Sequence, residues 1–134
     1  MKAHINFEPV EGVAIAIAVE QNEVGEDLWN VFLLNNNPYY LDNVLVASKG
    51  YGIHEGVEVK TSVLRHLFEQ VPPKSAVKVE PIDPAIFHIT NEYWVSYYVG
   101  EKIFDKKYIF VPESIIAENL VDISLLNAKG ILHY

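Results

Sequence analysis

An all-β fold, a single antiparallel sandwich domain of about seven strands over residues 1–134, is predicted by three observations. First, Trp29-Asn30-Val31-Phe32-Leu33-Leu34-Asn35 and Leu41-Asp42-Asn43-Val44-Leu45-Val46 alternate around the polar tip Asn35-Asn36-Asn37-Pro38. Side chains in a strand point to opposite faces in turn, so this block reads as two strands and a turn. Second, similar segments recur through most of the chain. Third, clusters of Gly, Pro, Asn and Asp separate them, and such residues favour turns. At most one or two short helical turns are expected.

The elements follow in order. Strand one is Gly12 to Gln21, in which Val13, Ile15, Ile17 and Val19 alternate with Ala14, Ala16 and Ala18. Small residues on alternate positions suit a strand whose second face is closely covered. Asn22 to Asp27 makes a hairpin turn. Strand two is Leu28 to Asn35 and strand three Asn43 to Ser48. Lys49-Gly50-Tyr51-Gly52 reads as a loop, because two glycines allow backbone angles that other residues avoid. Strand four is Val57 to about Leu67, although Val63, Leu64, Leu67 and Phe68 also fit helical spacing. Val71-Pro72-Pro73-Lys74 ends it.

Strand five is Ala76 to Ile82, with Val77, Val79 and Pro81 on one face. Asp83-Pro84-Ala85-Ile86-Phe87 suits one helical turn, with Asp as cap and Pro at the first position. Strand six is Glu92 to Val99 and strand seven Lys102 to Val111. Residues 114–120 fit a short helix opened by Ser114 or an irregular segment. Ile131 to Tyr134 suits a short edge strand.

Composition narrows the function classes. Half of the 134 residues are apolar, enough for a core, and a chain this long buries roughly two thirds of its unfolded surface. The net charge of −8 disfavours nucleic acid and anionic membrane surfaces, and the nine Lys and one Arg are scattered rather than clustered. The acidic balance reads as a device for solubility. There are no cysteines, which removes disulfides, thiolate metal sites and cysteine nucleophiles and suits a reduced, cytoplasmic setting. The apolar run from Val13 to Val19 is too short to span a membrane and has acidic flanks.

Two resemblances add to this. Asn35-Asn36, Leu41-Asp42-Asn43-Val44-Leu45-Val46, Thr61-Ser62-Val63-Leu64, the Pro turn and Ala76-Val77-Lys78-Val79 together resemble the immunoglobulin-like modules of adaptor appendages and many extracytoplasmic domains. The likeness spans Leu28 to Ile82 and implies an immunoglobulin-like sandwich without implying chemistry. Ser48-Lys49-Gly50-Tyr51-Gly52, Lys60-Thr61-Ser62, residues 91–98 and residues 104–112 resemble those of small bacterial proteins of unassigned function. Some of that group carry the label phenylalanyl-tRNA synthetase alpha subunit. The label implies a long sheet and two arginines for ATP and adenylate, whereas this chain has only Arg65.

Candidate chemistry is sparse. Gly50-Tyr51-Gly52 with Gly56 matches no dinucleotide or phosphate-loop spacing, so a plain inter-strand loop is the simpler reading. His4, His54, His66, His88 and His133 have no spacing that would converge on a metal, so neither metal nor cofactor is expected. None of the serines lies in a nucleophile elbow. Glu80 and Glu92 sit on or beside strands and form a carboxylate pair only if a cleft brings them together. Asp105-Lys106-Lys107 within an apolar strand reads as an edge guard.

The aromatic residues are the least bland feature. Alternation puts Tyr93, Val95, Tyr97 and Val99 on one face and Trp94, Ser96 and Tyr98 on the other, with one set in the core. Exposed Trp and Tyr mark protein contacts, because they bury large area at low entropy cost. The partner-binding candidates are therefore Trp94, Tyr98, Tyr39, Tyr40 and Tyr51, unless the C-terminal segment covers that face. The primary expectation is a non-catalytic module binding a protein partner or itself as a homodimer. The alternative is a small-ligand binder or minor enzyme using Lys49, His54, Lys60 and Glu92.

Overall fold

The alternation of branched residues with alanine along Val13–Val19 decides how the first sheet is built. In the computed structural model, which describes residues 7–134, this segment is β1 (Val13–Gln21), the central strand of five. Val13, Ile15 and Ile17 enter the core between the sheets. Ala14, Ala16 and Ala18 face the other way and are as fully buried, beneath Phe32, Leu34, Ile123, Leu125, Leu126 and Leu132. The small residues are thus matched to a covered second face, as their spacing predicts.

Around β1 lie β2 (Asp27–Asn35) and β6 (Ser75–Pro81) on one side, with β10 (Ala128–His133) and β9 (Val121–Ile123) on the other, giving the order β6-β2-β1-β10-β9. The second sheet is built on β3 (Leu41–His54). Its neighbour on one side is β7 (Thr90–Val99), followed by β8 (Lys102–Phe110). On the other side lie β5 (Leu64–Val71) and then β4 (Val57–Lys60), end to end. All the paired strands are antiparallel, and the core is the layer of aliphatic residues and Tyr93, Tyr97, Tyr108 and Phe110 between the sheets.

The fold is all-β as predicted, with ten strands among the described residues rather than about seven. The block around Asn35–Pro38 does hold two strands, but they belong to different sheets, and the polar tip carries the chain across. Asn35 secures that crossing: its fully buried amide donates to the carbonyls of Tyr39 (2.9 Å) and Pro72 (3.0 Å), and its oxygen accepts from the Asn37 amide (3.0 Å).

Several expectations are corrected. Lys49-Gly50-Tyr51-Gly52 is not a loop but part of β3, with Lys49 to Tyr51 paired to β7 and Tyr51 and Gly52 paired to β4. Its glycines are there for proximity: a Cβ on Gly50 would lie 3.0 Å from Thr61 and 3.1 Å from Ile89. Residues 63–68 are not helical, because Leu64 to Val71 pairs with β3 along its whole length. The predicted fourth strand breaks at Thr61–Val63. Residues 114–120 hold only a 3-10 turn, Ala117–Asn119, and Ser114 bonds back to the Val111 carbonyl instead of capping it. The C-terminal strand is no edge strand, since it lies between β1 and β9. The Asp83 turn appears as expected, with Asp83 accepting from the Ala85 amide at 2.9 Å.

Candidate functional site

The strand β7 sorts its side chains as alternation requires. Tyr93, Val95 and Tyr97 are buried in the core, and burial pushes the Tyr93 and Tyr97 phenols well above their ordinary range. Trp94 and Tyr98 stand on the outer face of the second sheet, with Trp94 46 % exposed. The C-terminal strands belong to the other sheet and do not cover them. Trp94 is held by its neighbours on β8: its indole N–H donates to Asp105, and the Lys107 amine sits 5.4 Å from the ring centre. Lys107 lies directly opposite Trp94 in the ladder, so the guard charges of this edge strand also orient the indole.

The same face carries exposed aliphatic side chains. Leu45 pairs across from Leu67 and Ser96, Ile109 lies opposite Glu92, and Leu67 is 72 % exposed. Of the other aromatic candidates, Tyr39 and Tyr40 are exposed in the crossover next to Asp42, the residue that faces Tyr98. Tyr51 shares the outer face but faces Thr90, at the far end of β3. At about 3.3 Å per residue, some 30 Å of strand separates Leu41 from Tyr51. Tyr98 stands at the crossover end with Tyr39 and Tyr40, Tyr51 stands at the far end, and Trp94, opposite Ala47, lies between the two ends.

The Tyr51 end carries a groove of about 600 Å³ outside Gly50 and the β4–β5 break. Glu92 lies at its base with a side chain only 8 % exposed. It accepts from the Tyr51 hydroxyl at 3.1 Å and pairs with Lys49 at 3.7 Å. Desolvation, this hydrogen bond and the Glu92 charge hold the Tyr51 phenol above its ordinary value. Lys60 lines the same groove and pairs with Glu58 at 3.3 Å. His54 does not line it: its ring packs against His88, centroids 4.0 Å apart. Thus Lys49, Lys60 and Glu92 come together, and His54 stands apart.

Glu80 and Glu92 do not meet. Alternation turns Glu92 outward, whereas Glu80 turns inward from the opposite sheet. A β-bulge causes this: the ladder pairs Phe32 with Lys78 but Val31 with Glu80, so Val79 is an extra residue. Val31 faces the core, and Glu80 opposite it does too. Pro81, expected beside Val77 and Val79, becomes exposed. Glu80 Oε1 accepts from Ser48 Oγ and from His66 Nε2, each at 2.7 Å. Sequence reading missed this cluster, since the shift of face comes from a register change that alternation does not reveal. Serine and histidine both end on one carboxylate oxygen. The histidine is therefore not placed between serine and carboxylate, as a nucleophilic triad requires.

Among the described residues, no group of three or more His, Asp or Glu could hold a metal ion, and no helix is long and apolar enough to cross a membrane. His4 lies outside the described residues. No protein-family model, curated protein or solved structure matches the chain.

Proposed function

We propose that this protein is a non-catalytic β-sandwich interaction module that binds a protein partner or a second copy of itself. The observation that carries the reading is the outer face of the second sheet. A half-exposed tryptophan, fixed by Asp105 and Lys107, stands there among Tyr98, Leu45, Leu67 and Ile109. Clustered apolar side chains on a rigid sheet favour protein contact, and a pre-oriented indole loses little entropy on docking.

Two finer points belong to the same reading. The chain passes between sheets at β2–β3, β5–β6, β6–β7 and β8–β9, which supports an immunoglobulin-like arrangement. The cysteine-free sequence supports a cytoplasmic setting.

Light scattering on a sizing column, over a range of concentrations, tests the reading. The expected result is a mass that rises from 15.2 kDa toward a dimer, and a Trp94→Ala variant that stays monomeric. A parent that stays monomeric moves the test to capture from cell extract. If parent and Trp94→Ala then retain the same proteins equally, the proposal fails.

The groove supports a second reading, a small-ligand site beside Lys49, Lys60 and Glu92. Its support is a nearly buried carboxylate beside two lysines, in a space of ligand size. Saturable NMR shifts at Tyr51 and Glu92, with none at Trp94, would favour it over the module.

A further inference from the structure

The break between β4 and β5 also opens inward, onto a cavity of about 360 Å³ at the sandwich edge. Glu80, Asp83 and Tyr93 bring polar atoms to it, and Leu64, Ile82 and Ile86 give it apolar walls. The Glu80 side chain is 12 % exposed. Both of its hydrogen bonds, from Ser48 and His66, end on Oε1. Among the described residues, no side-chain oxygen or nitrogen shut off from solvent lacks a partner. The second oxygen, Oε2, is therefore reached by solvent, and Glu80 lines the cavity.

Tyr93 adds an independent observation. The residue is 2 % exposed and lies directly across the ladder from Ser48. Its hydroxyl makes none of the side-chain hydrogen bonds found among the described residues, so it too is reached by solvent, and Tyr93 lines the cavity. Burial and the Glu80 charge both keep this phenol protonated, hence neutral. Lys49 borders the cavity, but its amine is turned outward to Glu92. Asp83 uses Oδ1 on the Ala85 amide and contributes a second negative charge. The lining thus combines apolar walls with two carboxylates, and Glu80 Oε2 and the Tyr93 hydroxyl are among its polar atoms without a side-chain partner.

We propose that this cavity binds a small organic cation, a primary ammonium or amidinium on a compact apolar body. Its N–H groups donate to Glu80 Oε2 and the Tyr93 hydroxyl oxygen, and its body fills the space against Leu64, Ile82 and Ile86. A carboxylate in a poorly hydrated site favours such a donor over a neutral one, because charge-assisted bonds strengthen as water is excluded. This site lies on the opposite side of β3 from the groove and does not depend on the outer-face reading.

The test uses the full chain, labelled with 15N, titrated with benzylammonium, benzyl alcohol and benzoate. Benzylammonium is expected to give saturable shifts at Ser48, Glu80 and Tyr93. The alcohol and the acid should bind at least about tenfold more weakly. Glu80→Gln keeps an acceptor for Ser48 and His66 and should weaken benzylammonium about tenfold or more. Tyr93→Phe keeps the ring and should weaken it several-fold. That variant decides the matter if glutamine at position 80 prevents folding. No saturable shift, equal binding of benzyl alcohol, or unchanged affinity in Tyr93→Phe each overturns the proposal. So do shifts confined to Trp94 or to the groove.

Discussion

Tyr108 links the two sheets through a single hydrogen bond whose removal has a calculable effect. The Asn36 amide donates to the Gly12 carbonyl at 2.7 Å, so the next residue, Val13, turns its carbonyl away from β2. On that side the ladder with β10 begins only at Ile15, opposite His133. The Val13 carbonyl therefore has no strand partner there, and the Tyr108 hydroxyl of the other sheet donates to it at 2.7 Å. Tyr108 is fully buried. Tyr108→Phe keeps the ring and its edge contact with His133, and removes one oxygen. The carbonyl is left unpaired where water does not reach, which costs about 1–3 kcal/mol. An unfolding entropy of about 2.1 cal/mol/K per residue over 134 residues gives about 0.28 kcal/mol/K. The midpoint should fall by roughly 4–10 °C, measured by calorimetry, with an unchanged urea m-value. A fall of less than about 1 °C would refute the reasoning, and would mean that the carbonyl finds another donor.

Three further outcomes follow from the same packing. Tyr93, Tyr97 and Tyr108 all titrate above the ordinary phenol value of 10.0 because folding buries them. Their folded forms hold protons that the unfolded chain releases, so this stability is complete below pH 10 and is lost as pH rises above it. The limiting slope is about 4 kcal/mol per pH unit for three groups. Of the eight tyrosines, these three should therefore ionise only as the circular dichroism of the fold is lost, and all eight phenolates appearing near pH 10 in a folded protein would contradict this. Gly130→Ala would place a Cβ 2.7 Å from the Ile17 carbonyl oxygen and 2.9 Å from Ala18 Cα. Neither backbone atom can yield cheaply, so urea unfolding should show a loss of about 1–3 kcal/mol, and a neutral result would mean β10 sits farther from β1. Asn35→Ala strips partners from the Tyr39 and Pro72 carbonyls and the Asn37 amide at a buried crossing. A loss of about 2–4 kcal/mol is expected in the same assay, and a change under about 0.5 kcal/mol would show that the crossing does not need it.

Where one periodicity ran without interruption, the sequence was a sound guide. Val13–Val19, Leu28–Asn35 and Glu92–Val99 were legible as strands because alternation, burial and β-branched or aromatic content agree there. Asp83-Pro84 was legible as a helical turn because a cap and a preset φ act within a few residues. The glycines of Gly50-Tyr51-Gly52 misled because glycine serves two purposes, freedom in a loop and closeness in a strand. Only the approach of Ile89 and Thr61 distinguishes them. Residues 63–68 misled because Leu64 and Leu67 fit two periods, and the pairing with β3 settles which one applies.

The candidate sites divide along the same line. By itself the sequence determined that Trp94 and Tyr98 share a face opposite to Tyr93 and Tyr97, since a two-residue period is local to the strand. It also determined that a single cysteine-free, acidic all-β domain was to be expected. Only the tertiary structure decided which face was outward, because that depends on where the C-terminal strands pair. It alone decided that Glu80 turns inward to Ser48 and His66, since one bulge residue reverses the face of everything beyond it. Residues far apart in the chain converge through pairing register, and register is a property of two strands at once.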